Sequence, residues 1–457
     1  MEFDLKSKLL RQSLMFLGSC LLPNIIFFLV ARLLGVERPL LNIDYAVVAV
    51  VFAFGWWRLA LVFSVFFLVV DFLALFGQVM PFVRFGDIFY LLSFALVASY
   101  YHLALLFFVV ALLSILGWGM YVTGRRLDLL VALCFLSLMA LVSVLQPASS
   151  GGGLERFYRF SSSWWVKSQT QLLFRARGDL FLALFSDDGL SLLPLKSSSA
   201  SVPFWSLLGS EVRAERMMLV VAESWGQSID PRVRDKLLEP LTVLSGRRLE
   251  QGEVKPTGMT LAGELRELCH LVPTHYNLKP VEKGFERCLP NQLRTAGYET
   301  LSLHAATGMM YDRIYWYPRV GFDRSVFFES RFWPRRCYSF PGGCDADMFD
   351  ELHSFFQEPG KRFLYWLTLN SHAPYDVRDI RNDRFDCAEF EIESSSEVCR
   401  NLKLQAQFFE GLASALDQEM MRDVQVIVVG DHEPVIMNVA EKNKYFVSGR
   451  VPWVYLK

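Results

Sequence analysis

The N-terminal third of the chain is built from long apolar runs, and no other feature limits its fold as strongly. Ser13 to Val36 is long enough, at about 1.5 Å of rise per helical residue, to cross about 30 Å of hydrocarbon. It follows Lys6, Lys8 and Arg11 and lacks a convincing small-residue cleavage site, so it reads as a retained signal anchor. Ala46 to Phe76 is too long for one span and breaks at Gly55-Trp56-Trp57-Arg58, giving two short spans that meet at a cytoplasmic turn. Leu103 to Val122 and Leu127 to Leu145 form a last hairpin around Gly124-Arg125-Arg126. An α-helical transmembrane domain of about five spans is expected. Its cytoplasmic ends would carry Lys6, Lys8, Arg11, Arg58, Arg125 and Arg126, and its external ends Arg32, Arg38 and Arg84. That bias places the N-terminus in the cytoplasm, and an odd span count exports the remainder. Arg84 and Asp87 at the start of Phe85 to Tyr100 favour an interfacial or re-entrant helix there. A sixth span would return the second half to the cytoplasm.

Three segments are expected: a transmembrane domain over 1–147, a linker with interfacial helices over 148–215, and a soluble domain over 216–457. Ser149-Ser-Gly-Gly-Gly153 is a flexible joint. Trp164-Trp165 and Leu172 to Phe185 mix apolar, aromatic and basic residues, which suits helices on a membrane surface or a segment packed on the globular domain. Ser197 to Ser201 reads as a second linker. The mean hydropathy of +0.28 therefore averages two unlike parts. The net charge of −1 gives no electrostatic case for nucleic acid. Cys20 and Cys134 lie in apolar runs. Cys269, Cys288, Cys337, Cys344, Cys387 and Cys399 fall in three sequence-local pairs, which suits disulfides in an oxidising compartment. Pairing of 269 with 288, 337 with 344 and 387 with 399 is the simplest scheme, although six cysteines allow other connectivities.

From Arg216 onward, short apolar runs alternate with helical patterns. Met217 to Ala222, Thr300 to Leu303, Phe363 to Leu369, Val424 to Val429 and Val451 to Leu456 read as buried strands. Leu289–Ala296 and Leu402–Leu416 read as helices. This pattern predicts an α/β domain with a mostly parallel central sheet covered on both faces. Such sheets bind ligands beyond the carboxyl ends of their strands. Glu223, Asp431-His432, His304 and His372 all follow strand runs, so four strands deliver polar groups toward one crevice.

The motifs around these residues resemble the alkaline phosphatase/sulfatase superfamily. Within it they look like the membrane-anchored lipoteichoic acid synthase and phosphoglycerol transferase group, with phosphoethanolamine transferases as near relatives. The resemblance maps a metal-binding carboxylate onto Glu223 in Glu223-Ser-Trp. It maps a threonine nucleophile, itself a metal ligand, onto Thr260 in Gly258-Met-Thr260-Leu-Ala-Gly-Glu264. It maps the Gly-Asp-His metal motif onto Asp431 and His432. Tyr311-Asp-Arg313 with Gly321-Phe-Asp323 is similar to the substrate clamp, and Thr368-Leu-Asn-Ser-His372-Ala-Pro-Tyr375 to the strand-end histidine segment. Tyr311, Arg313, His372 and His304 are thus the substrate-binding candidates. Zn²⁺, Mn²⁺ or Mg²⁺ would suit this donor set.

The resemblance implies transfer of a phospholipid headgroup phosphate to a hydroxyl of a glycan or glycolipid through a phosphothreonine. The enzyme would sit in a bacterial cytoplasmic membrane with its catalytic domain outside, among partners in envelope biosynthesis. The Thr368 to Tyr375 segment favours phosphoglycerol from phosphatidylglycerol as donor; the paired cysteines favour phosphoethanolamine. A hydrolase, either a phosphodiesterase or a sulfatase, is the alternative. Its sulfatase form needs Cys or Ser in C/S-x-P-x-R, and Cys288-Leu-Pro290-Asn-Gln292 has Gln at the arginine position. Simpler roles compete for single residues. Thr260 suits a helix N-cap, and Thr257 is a competing nucleophile. Arg313 suits a solvated surface arginine, and His304 a satisfied core histidine.

Overall fold

The computed structural model describes residues 2–33, 38–79, 100–146, 165–171, 192–208, 214–274, 276 and 278–457. The predicted Ser149–Gly153 joint, the Leu172–Phe185 helices and most of the Phe85–Tyr100 segment lie outside the described residues. The chain divides into two compact units, Met1–Asp187 and Asp188–Lys457.

In the first unit the apolar runs form helices α1 (Glu2–Leu33), α2 (Asp44–Ala53), α3 (Trp57–Val79), α4 (Tyr100–Gly124) and α5 (Leu129–Leu145). The expected break in the second run is real: α2 stops at Ala53, and Gly55 turns the chain with φ 81°. Among the described residues, three helices are long and apolar enough to cross a membrane: α1, α3 and α4. The 10 residues of α2 and 17 of α5 fall short by that measure, so five spans are not established. Asp128 caps α5 by accepting from the amides of Leu130 and Val131. Phe16 of α1 stacks on Phe135 of α5.

One polar cluster sits inside this unit. The Arg38 guanidinium donates to both Asp71 oxygens at 2.9 and 2.6 Å, and to Asn24 Oδ1 at 2.9 Å. Tyr45 also donates to Asp71 at 2.8 Å, and Gln169 reaches its other oxygen. A short parallel ladder joins β1 (Leu41–Asn42) to β2 (Val166–Lys167) beside it. Asp44 accepts from the amide and hydroxyl of Thr170. A buried charge is tolerable only when paired and hydrogen-bonded, and here both requirements are met.

The second unit begins with β3 (Leu192–Pro194) and α6 (Val202–Leu207) and continues with β4 (Arg216–Ala222), α7 (Pro231–Thr242), β5 (Leu249–Val254), α8 (Thr260–Cys269) and β6 (Leu271–Pro273). There follow α9 (Leu289–Thr295), β7 (Glu299–His304), α10 (Arg313–Val320), β8 (Arg324–Val326), α11 (Phe349–Gln357) and β9 (Arg362–Leu367). The chain closes with α12 (Glu397–Leu416), β10 (Gln425–Gly430), α13 (Val439–Tyr445) and β11 (Val451–Leu456). Seven strands form one mixed sheet in the order β5-β11-β10-β4-β9-β7-β8. β10, β4, β9, β7 and β8 are parallel neighbours, while β11 runs against both β10 and β5. The central strand β4 is buried from Met217 to Ala222. Met218, Val220 and Ala222 pack in a core with Leu237 of α7, Leu352 of α11 and Phe409 of α12. Alternation along the strand turns Met217, Leu219 and Val221 to the other face.

All three sequence-local disulfides are present: Cys269–Cys288, Cys337–Cys344 and Cys387–Cys399. Ser197–Ser201 is not a free linker. Ser199 and Ser201 are buried and bonded to His270 and Glu267, because α6 and β3 pack back on the end of α8 and on β6.

Replacing Asp71 by Ala strands the buried Arg38 charge, which costs about 3–5 kcal/mol. A clearly lowered melting temperature of the detergent-solubilised protein is expected; unchanged melting would show that the pair is not needed.

Candidate active site

Glu223 is the first residue after β4, where the parallel ladder ends, and its backbone is pinned from three sides. Its amide donates to Thr368 Oγ1 at 2.9 Å, and its carbonyl accepts from Ser371 Oγ at 2.7 Å and Gln405 Nε2 at 2.8 Å. Ser224 follows in the left-handed region with φ 54°. That strained turn lets its amide donate to Asp431 Oδ1 at 2.8 Å while its hydroxyl donates to Glu223 Oε1 at 2.9 Å.

Asp431 and His432 leave the end of β10, the strand beside β4. His432 Nδ1 lies 2.7 Å from the Glu433 carbonyl, which only accepts, so Nδ1 carries the proton. The other nitrogen, Nε2, then faces Glu223 Oε1 at 3.4 Å and Asp431 Oδ2 at 3.3 Å. His372 is built alike, with Nδ1 donating to the Ala373 carbonyl at 2.6 Å.

Thr260 is the first residue of α8, with Met259 rather than Thr260 at the N-cap. Its hydroxyl donates to Glu223 Oε2 at 3.2 Å and lies 3.3 Å from His432 Nε2. The competing Thr257 has its hydroxyl committed to the Ala262 carbonyl. Gly263 makes the approach of α8 possible, since a Cβ there would stand 2.9 Å from both Cα and Cβ of Asp431.

Ligand atoms of Glu223, Asp431 and His432 lie within 4.8 Å of one another, and all three residues are buried. Asp431 Oδ2 is buried with no hydrogen-bond partner among the described residues. Burial and the neighbouring Glu223 push the Asp431 carboxyl up to about 8. Against burial, His372 and His432 hold Glu223 well below the usual carboxylate range. Also against burial, Asp431 and Glu223 hold the His432 imidazole up at about 10. Two carboxylates packed this closely need positive charge between them. Two carboxylates, an imidazole and an orphaned buried oxygen fit one divalent cation, with the Thr260 hydroxyl at its edge.

A second group surrounds this one. Arg313 is buried, not solvated; its Nε and Nη2 bind Glu264 Oε1 at 3.0 and 2.6 Å. Tyr317 donates to the other Glu264 oxygen at 2.6 Å. Glu264 thereby ties α10 to the helix that carries Thr260. Arg313 Nη1 faces His304 Nε2 at 3.3 Å, and His304 Nδ1 donates to the Leu367 carbonyl at 3.1 Å. Burial and the Arg313 charge push His304 well below the usual histidine value, so it is neutral. Tyr311 has φ 55°, and the Arg313 guanidinium lies 5.0 Å from its ring centre. Tyr311, His304 and His372 all interact electrostatically with Glu223. The structure thus brings Glu223, Thr260, Asp431 and His432 into direct contact and sets Tyr311, Arg313, His304 and His372 around them. Sequence reasoning missed Ser224, Thr368, Ser371 and Gln405 as supports. Only the first three sat in a motif that could have flagged them.

Residues 259–450 match the Sulfatase family model. The chain carries a sulfatase-family domain. No curated protein matches the chain. Among solved structures, it is similar to the lipoteichoic acid synthase LtaP from Listeria monocytogenes, with 14% identity, 56% of this chain and 71% of that one covered, and a TM-score of 0.40. It is also similar to the phosphoglycerol transferase GacH from Streptococcus pyogenes in complex with sn-glycerol-1-phosphate (13% identity, 59% and 78% covered, TM-score 0.39). A third similar structure is the periplasmic domain of EptC from Escherichia coli (14% identity, 54% and 73% covered, TM-score 0.34). Cys288, the near match to a sulfatase nucleophile, is buried in a disulfide with Cys269 and is not a free thiol.

Gly263→Ala should push α8 away from Asp431 and weaken divalent-cation binding about tenfold or more, as outer supports of metal ligands do; wild-type affinity in a titration would contradict the close approach. His304 stays neutral in the fold while the unfolded chain takes up a proton below the ordinary value of 6.5, so the group contributes nothing above that pH and destabilises the fold as pH falls below it. Stability of the wild type should therefore fall below pH 6.5 more steeply than that of His304→Gln, by up to about 1.4 kcal/mol per pH unit. Parallel curves would show that His304 is not held neutral.

Proposed function

We propose that the chain is a membrane-anchored phosphotransferase that moves a phospholipid headgroup phosphate onto a hydroxyl of a glycan or glycolipid. The observation that carries this reading is the Thr260 hydroxyl, buried at a helix start, 3.2 Å from Glu223 and 3.3 Å from His432. Glu223, Asp431, His432 and the Thr260 hydroxyl would hold one ion of Zn²⁺, Mn²⁺ or Mg²⁺. When bound, such an ion favours the alkoxide form of a hydroxyl and polarises a phosphoryl oxygen.

Thr260 Oγ1 attacks phosphorus, the bond from phosphorus to the diacylglycerol oxygen breaks, and diacylglycerol leaves with a proton. An acceptor hydroxyl then attacks the phosphothreonine diester, the bond from phosphorus to Thr260 Oγ1 breaks, and Thr260 regains its proton. His372, with Nδ1 occupied by the Ala373 carbonyl, has Nε2 available to take the acceptor proton. The N-terminal end of α8 favours the phosphate's negative charge. Phosphoryl transfer of this kind depends mainly on positioning and charge stabilisation, which the pinned strand ends provide.

Phosphatidylglycerol is the first donor reading, on the Thr368 to Tyr375 segment. Phosphatidylethanolamine is the second, favoured by the three disulfides. Helices α1, α3 and α4 support a membrane location, and the disulfides support a catalytic domain outside a bacterial cytoplasmic membrane. Partners in envelope biosynthesis are consistent with that location.

Intact-mass analysis of the protein in vesicles of either lipid tests the proposal. A headgroup-phosphate adduct is expected on the wild type with one lipid and not on Thr260→Ala. An adduct that persists in Thr260→Ala would reassign the nucleophile. Absence of an adduct with both lipids, in protein with bound metal, would count against these donors and favour a hydrolase.

A further inference from the structure

Asp431 is held so that only one of its carboxylate oxygens is left over. Its amide donates to the Ala222 carbonyl at 3.2 Å. Its Oδ1 accepts from the amides of Ser224 at 2.8 Å and His432 at 2.6 Å. The remaining backbone atom, its carbonyl oxygen, accepts from Arg266 Nη1 at 3.2 Å, and the Gly430 carbonyl accepts from Arg266 Nη2 at 2.7 Å. Arg266 lies on α8, two turns after Thr260, and its side chain is wholly buried. Its Nε donates to Glu267 Oε1 at 2.6 Å, so the charge is matched by its chain neighbour. Glu267 is held in turn: its Oε2 accepts from the Ser201 amide at 2.8 Å, and its carbonyl accepts from Ser201 Oγ at 2.7 Å. His270 at the end of the same helix bonds Ser199 Oγ and stacks on Trp205.

We infer that Arg266 is a positioning residue for the cation site: it ties the backbone that aims Asp431 Oδ2 to the helix that carries Thr260, and the Ser199–Trp205 segment clamps it from behind. The inference rests on the reading of Glu223, Asp431 and His432 as cation ligands. The physical ground is the fork shape of the guanidinium. Three of its N–H groups point at three fixed acceptors, an arrangement that a lysine ammonium cannot reproduce. Supports of this kind around metal ligands change affinity by about 10–100-fold when removed.

The test uses the full-length protein with Mn²⁺ as the probe, titrated calorimetrically, and melting of the chelator-treated protein as the measure of fold. Arg266→Lys keeps the buried charge beside Glu267 but loses the two carbonyl contacts. The double variant Arg266→Met with Glu267→Leu removes both charges together, which spares the cost of a stranded buried ion. Expected is an approximately tenfold or greater loss of Mn²⁺ affinity in both variants, with metal-free melting of the double variant close to wild type. A merely structural Arg266 would lower metal-free melting and leave affinity intact. Wild-type affinity in either folded variant overturns the inference. Failure of the wild type itself to bind Mn²⁺ or Zn²⁺ would instead overturn the reading of the site on which it rests.

Discussion

The second unit is organised around two buried carboxylates that stand beside one imidazole. Glu223 and Asp431 are almost wholly removed from water, and Asp431 Oδ2 has no hydrogen-bond partner among the described residues. Like charges buried together raise one another's proton affinity, as Glu223 does for Asp431, and the pair persists only where positive charge compensates it. The His432 imidazole stands 3.4 and 3.3 Å from the two carboxylates and supplies such charge when protonated. A divalent cation would do so more strongly, while turning the leftover oxygen of Asp431 into a ligand. Most other features of the site serve to keep these groups close despite the cost.

The parallel ladder does the first part of that work. β4 and β10 lie side by side in register, so the residues after Ala222 and Gly430 emerge together. Neither carboxylate is free to swing away. Ser224 in its left-handed turn bonds both, and Thr368, Ser371 and Gln405 hold the Glu223 backbone. The second part is the approach of α8, which needs a bare Cα at Gly263 and is tied by Glu264 to Arg313 and Tyr317 and by Arg266 to the end of β10. One short helix thus places Thr260 and braces the groups around it.

Much of this was legible in the chain. Strands β4, β7, β9, β10 and β11 are apolar runs because they are covered on both faces, and the motif residues sit where those runs end. β5 escaped notice because Leu249–Val254 is a half-exposed strand at the edge of the sheet, with Glu, Gln and Gly between its apolar ends. β8 escaped because it has only three residues. Ser197–Ser201 looked like a linker because serine carries no burial signal, yet a hydroxyl beside a buried Glu267 is well satisfied there. Arg313 looked capable of facing solvent because its partner Glu264 is distant in sequence. The five-span count is not established because α2 and α5 are apolar but short.

The central claim is that Glu223, Thr260, Asp431 and His432 enclose one divalent cation, and metal stoichiometry tests it most directly. Purified full-length protein, equilibrated with excess Zn²⁺ or Mn²⁺, desalted and analysed by elemental mass spectrometry, should carry about one equivalent per chain. Asp431→Asn, with its disulfides intact, should carry far less, because its orphaned oxygen would no longer be a charged ligand. Equal metal content in the wild type and the variant, or none in either, would contradict the account.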